Sequence, residues 1–175
     1  MSLTRSLILL LSLSVLAACG LKPVHAKMDS NLAAELSSVQ IGNISTNRDD
    51  NVALNAGARE SQILKYKLAE LLAPDGNGAY PAYRLDLDLT VEKGELGIQQ
   101  DLRVTRYDII ETADYRLVSL ANNQIATKGR TRIKSSFNRT ASEFSTFVAE
   151  EDASEKAAEE LAQEIKQRLT AYFAK

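Results

Sequence analysis

The chain has 175 residues, a formal net charge of −2, one Cys, one His and no Trp. A single thiol forbids an internal disulfide framework, and a single His excludes metal sites built on several His or Cys ligands. A His-assisted nucleophile is left only if His25 folds back from the N-terminal region, and the near balance of charge gives no global argument for nucleic acid.

Met1 to Ala18 has the three parts of a secretory signal: Arg5, the apolar run Leu7 to Leu16, and the small pair Ala17-Ala18. The run is about ten residues long, whereas a membrane-spanning helix needs roughly 20. It therefore reads as a signal core and not as a permanent anchor. Cys19, the only cysteine, follows directly. Leu16-Ala17-Ala18-Cys19 resembles the lipobox of bacterial lipoproteins. The resemblance implies cleavage before Cys19, a diacylglyceryl group on its thiol and acylation, for example by palmitate, of the new amino end. The blander alternative is an ordinary signal peptide that happens to contain a cysteine at that one position. Two or more acyl chains hold a protein stably at about 0.8 kcal/mol per buried CH₂, where one holds it only marginally. Gly20, in place of Asp, leans towards the outer membrane.

Leu21 to about Leu32 contains Pro23 and has no clear period, as expected of a tether. Leu36 to Ile44 has period-2 character and is expected to be a first strand, followed by polar turn residues Asn47 to Asn51. Leu54 to Leu72 is expected to be an amphipathic helix: Ser61, Leu64, Leu68, Leu71 and Leu72 share one face, while Arg59, Glu60, Lys67 and Glu70 turn mostly away. Pro74 and Asp75-Gly76-Asn77-Gly78 end it.

Tyr83 to Val91 alternates strictly, with Tyr83, Leu85, Leu87, Leu89 and Val91 on one face and Arg84, Asp86, Asp88, Thr90 and Glu92 on the other. That is the pattern of a half-buried strand. Lys93 to Asp101 is expected to be a loop. Leu102 to Val118 reads as a long strand whose phase changes, which a β-bulge near Thr105-Arg106 would accommodate. Asn122-Asn123 suits a tight turn before a strand from Ile125 to Phe137. Asn138 to Glu151 reads as irregular or loosely helical. A final helix is expected from an Asp152 N-cap, with Glu155 completing a capping box, to about Phe173.

The order implies an α+β two-layer sandwich, β-α-β-β-β-α, with two helices on one face of a four-stranded mixed sheet. The last three strands should form an antiparallel meander, entered by a right-handed crossover. Residues 1–18 would be signal, 19–32 a lipidated tether and 33–175 one domain, and the chain left after cleavage is large enough to bury roughly 68–70% of its unfolded surface.

Among the side chains, Lys128, Arg130, Arg132 and Lys134 stand out. Period-2 geometry points all four to the sheet face away from the helices. Four like charges in line repel unless something anionic neutralises them, either a ligand or partner, or the Asp86/Asp88 stripe of the same face. Arg103, Arg106 and Arg139 could extend the patch. Asp86-Leu87-Asp88-Leu89-Thr90 matches the DxDxT of aspartyl-phosphate phosphatases only superficially, because it lies inside an alternating strand without the accompanying motifs. Catalysis has no support, and no cofactor is implied.

Cys19-Gly20-Leu21-Lys22-Pro23-Val24 is similar to the CGFxPLY-like start of the lipopolysaccharide-assembly lipoprotein family LptE, particularly its alphaproteobacterial branch. Arg59 to Leu64, Tyr83 to Leu87, Ala113 to Val118 and the Ala-rich last helix resemble it too. Val24-His25 departs where an aromatic is frequent, and Leu120 to Asn123 lacks the frequent Gly. The resemblance implies an outer-membrane lipoprotein seated as a plug in the large β-barrel LptD, assisting barrel assembly and lipopolysaccharide delivery. In that role the basic side chains Lys128, Arg130, Arg132, Lys134, Arg103 and Arg106 are expected to contact lipopolysaccharide or the partner. The alternative is an accessory lipoprotein of an envelope lipid-transport ABC system.

Overall fold

The computed structural model describes residues 30–48, 56–74, 80–98 and 104–174. The signal segment, Cys19, His25, Gly76 to Gly78, Leu102 and Arg103 lie outside them. The elements are α1 (Ser30–Ser37), β1 (Val39–Arg48), α2 (Ala56–Leu72), β2 (Tyr83–Ile98), β3 (Val104–Ser119), β4 (Ile125–Asn138) and α3 (Glu143–Phe173). The sheet order is β1-β2-β3-β4, with β1 parallel to β2 and the other pairs antiparallel. This is the expected α+β sandwich with one more helix.

The extra helix takes the end of the expected tether and the start of the expected strand. Leu32 and Leu36 are four residues apart, so on a helix they reach one face, and Leu36 becomes fully buried. Ser38 closes the helix by donating from N and Oγ to the carbonyls of Ala34 and Glu35. β1 then starts at Val39 and includes Asn47 and Arg48, which the sequence reading placed in a turn.

On β2 the alternation holds: Leu85, Leu87, Leu89 and Val91 are buried against the helices. Each such side chain contributes about 1.5–3 kcal/mol of transfer free energy. The strand does not stop at Val91. It pairs with β3 in one unbroken register from Tyr83↔Ser119 to Ile98↔Val104, so the loop expected from Lys93 is strand as far as Ile98. The bulge expected near Thr105-Arg106 is likewise not there. Odd residues of β3 face the helices and even ones face out. The irregularities fall instead between Ile41 and Ile44 of β1 and between Leu117 and Val118 of β3. At the β3–β4 turn Asn123 takes the left-handed conformation, φ 55°, as its side chain permits.

On α2 the buried face runs through Gly57, Glu60, Leu64, Leu68 and Leu72. Gly57 is required by close approach to β1, since a Cβ there would stand 2.5 Å from Thr46 Cγ2. Glu60, expected to turn outward, lies inside this stripe at 4% exposure.

The last helix begins at Glu143, nine residues before the expected Asp152 cap. Ser142 is the N-cap, and its side chain accepts from Ser145 N. Thr140 and Thr146 tie the approach through their hydroxyls. Asp152 pairs with Lys156 at 2.6 Å, one turn on. At 31 residues α3 runs about 46 Å at 1.5 Å per residue. Its buried side is mostly small, with Ala153, Ser154, Ala157, Ala158 and Ala162 beside Leu161, Ile165 and Leu169. Small side chains let it sit close on α2 and the sheet.

Candidate functional site

The outer sheet face is the open one, because the helices cover the other. Lys128, Arg130, Arg132 and Lys134 are all exposed there, as their alternation implies. Arg106 is exposed on the same face, near the start of β3. Arg139 lies beyond β4 and turns to Glu143 Oε1 at 3.0 Å. Arg84 and Arg116, which the sequence reading did not single out, occupy outward positions of β2 and β3 by the same period-2 rule.

Carboxylates from β2 and β3 lie between these cations. Arg130 donates from Nε to Asp114 Oδ1 at 2.7 Å and from Nη2 to Oδ2 at 2.9 Å. Hydrogen bonding from the Arg130 guanidinium is the main reason the Asp114 carboxyl is held below the usual carboxylate range. Lys134 pairs with Asp108, which also accepts from Ser136 Oγ at 2.6 Å. Burial raises the Asp108 pKa, but the hydrogen bonds from Lys134 and Ser136 outweigh it and hold the group low. Arg116 reaches Asp88 at 2.9 Å, and Arg84 reaches Asp86 at 3.0 Å. Arg132 stands 3.8 Å from Glu92. Among the described residues Lys128 has no carboxylate within ion-pair distance, and its register partner is Arg116. Between β1 and β3 the face dips into an open depression of about 420 Å³ lined by Asn43, Arg84, Asp86, Leu87, Asp88 and Arg116.

The row is therefore part of a face of mixed sign. Its cations (Arg84, Arg106, Arg116, Lys128, Arg130, Arg132, Lys134) outnumber its carboxylates (Asp86, Asp88, Glu92, Asp108, Asp114). Such a face can bind anionic groups through charge-assisted hydrogen bonds while staying soluble.

Under the sheet lie two carboxyls that the sequence reading missed as buried groups. Glu111, on an inward position of β3, is fully buried and neither oxygen has a hydrogen-bond partner among the described residues. Burial, helped by the charge of Glu60, pushes it up to about 8. Burial also raises Glu60, despite a hydrogen bond from Ser154. The signal was available: Glu111 occupies the same odd phase as Ile109 and Ala113. Among the described residues no group of three or more His, Cys, Asp or Glu is arranged to hold a metal ion.

Solved structures share this architecture. A candidate lipoprotein from Caulobacter crescentus CB15 is 25% identical, with a TM-score of 0.56 over 82% of this chain and 95% of its own. The minor lipoprotein of Acinetobacter baumannii is 16% identical, with a TM-score of 0.53 over 74% and 90%. The rare lipoprotein B of Shewanella oneidensis is 14% identical, with a TM-score of 0.52 over 74% and 95%. The last two likenesses concern fold alone. A search of curated proteins finds no match. The model of the family described as "LptE: Lipopolysaccharide-assembly" matches residues 34–169, from the second half of α1 through all four strands and α2 into the last turns of α3, and the chain belongs to that family.

Proposed function

We propose that the chain is an outer-membrane lipoprotein, anchored through Cys19, that seats in the lumen of the LptD β-barrel. There it assists barrel assembly and takes part in delivering lipopolysaccharide to the outer leaflet. The family match over residues 34–169 carries this reading. The molecule suits it physically. One sheet face is closed by helices and the other is charged and open, as a folded body inside a polar barrel lumen requires. Lys128, Arg130, Arg132, Lys134 and Arg106, with Arg103, supply cations for the phosphates and carboxylates of lipopolysaccharide or for the barrel wall. No bond-making step is assigned to the chain.

Affinity purification from native outer membranes, followed by mass spectrometry, tests the partner. Recovery of the barrel supports the reading, and recovery of an inner-membrane lipid-transport ATPase in its place overturns it. Labelling with a clickable palmitate, with Cys19→Ala as control, tests the anchor, and an unlabelled native chain removes that part. The variant with Gln at 128, 130, 132 and 134 should bind lipopolysaccharide more weakly in a pull-down. Unchanged binding rejects the row as the contact.

A further inference from the structure

Resting on that reading, we infer that the four cations of β4 are not equivalent: Lys128 and Arg132 take the anionic groups of the ligand, while Asp114 and Asp108 occupy Arg130 and Lys134. The difference is geometric. Arg130 meets Asp114 fork to fork, at 2.7 and 2.9 Å, so two of its donors are engaged within the face. Lys134 is held by a carboxylate whose side chain is only 5% exposed and which Ser136 also fixes. Arg132, by contrast, lies 3.8 Å from Glu92, beyond hydrogen-bond reach, and it is this distance that sets it apart, since Arg130 is as open to solvent. Lys128 is exposed, has no carboxylate partner among the described residues and stands across the strand from a second cation, Arg116.

Lys128 and Arg132 are four residues apart on one strand, hence about 13 Å at roughly 3.3 Å per residue. They point the same way, so they fit a ligand with two anionic groups at that separation, as on a phosphorylated glycolipid. An ammonium provides a point charge at one end and a guanidinium a planar fork at the other. Asp114 then limits affinity by competing with the ligand for Arg130.

The test measures lipopolysaccharide binding to the full chain in detergent at fixed salt. Lys128→Gln and Arg132→Gln should each weaken binding by about fivefold, the scale of one exposed charge contact. Lys65→Gln, which removes one exposed charge from α2 on the opposite layer, controls for net charge and should change little. The double variant Arg130→Gln/Asp114→Asn removes a self-neutralised pair and should leave binding within about twofold. Asp114→Asn alone frees Arg130 and should tighten binding. Equal losses at 128 and in the 130/114 double variant, or no gain from Asp114→Asn, overturn this inference while leaving the row as the contact. No loss when all four cations are replaced overturns the reading beneath it.

Discussion

Ser154 of α3 donates a 2.8 Å hydrogen bond to Glu60 of α2, and this bond joins the two long helices where both side chains are buried. It satisfies one oxygen of Glu60. The other oxygen, and both oxygens of the neighbouring Glu111, have no hydrogen-bond partner among the described residues. Two carboxylates cannot both ionise cheaply in such a place, so burial keeps Glu111 protonated up to about pH 8. The nearby charges include Arg59, which favours ionisation of Glu60, and Glu150, which opposes it.

The sign of the pH dependence follows. The folded pKa of Glu111, about 8, lies above the ordinary 4.5 expected unfolded. Its contribution is fully present below pH 4.5 and is lost as pH rises towards 8, with a slope of about 1.4 kcal/mol per pH unit for one proton. Glu111→Gln keeps the shape and removes the proton. It should flatten the fall in urea midpoint between pH 5 and pH 8 and be the more stable chain at pH 8. An identical pH slope in the two proteins would rule out Glu111 as the group responsible.

These carboxyls also mark where reading the chain as a string of residues fails. Tyr83 to Val91 was legible because five apolar residues alternate with polar ones and nothing else competes. Glu111 breaks that pattern from inside: its phase says buried and its chemistry says exposed, and phase prevails because the strand has no freedom to turn one side chain out. Lys93 ended the expected strand for a similar reason, although its ammonium finds Glu150 and its backbone finds β3. The first turns of α3 were hidden because Phe144, Phe147 and Val148 are exposed and bury no stripe against the core. The outward direction of the basic row was legible from period 2. Which of its members meet a carboxylate depends on the β3–β4 register, and that is a tertiary fact.

Tyr115 lies over Gly129, its cross-strand partner, and a Cβ at 129 would stand 2.6 Å from the phenol oxygen and 2.9 Å from Cε1. The ring is 5% exposed and has little room to swing away. Gly129→Ala should therefore cost about 1–3 kcal/mol, the range for overpacking. Truncating the ring first, in Tyr115→Ala, should make the added methyl nearly neutral. A double-mutant cycle by chemical denaturation measures this coupling, and additive losses would show that the ring does not press on the glycine.

Ala162 is fully buried on α3, and Leu89 is fully buried on β2. Ala162→Leu forces extra volume into the helix-to-sheet layer and should cost about 1–3 kcal/mol. Leu89→Ala leaves a cavity and should cost about 2–5 kcal/mol. Urea midpoints should fall in both with little change in the denaturant slope. A midpoint unmoved by Ala162→Leu would mean that α3 stands off the sheet farther than its small side chains indicate.

Lys93 sits on the helix side of the sheet, and its ammonium lies 2.7 Å from each oxygen of Glu150. It also lies 4.8 Å from the Tyr107 ring centroid and 5.3 Å from that of Phe137, and these two rings stack on each other at 5.4 Å. One cation thus joins β2, the β3–β4 aromatic pair and the start of α3. Lys93→Met keeps the apolar stem but leaves Glu150 without its ammonium partner, and should cost about 1–2 kcal/mol. Glu150→Gln added to it removes the stranded charge and should restore most of the loss, since a matched apolar or neutral pair is often no worse than the ion pair. Tyr107→Ala should remove a further contribution of about 0.5–1 kcal/mol only while Lys93 is present, because the ring's attraction is for the cation. If Lys93→Met and Glu150→Gln add without coupling, the two groups are solvated separately, and the early turns of α3 are held by the Ser142 cap and the flanking packing alone.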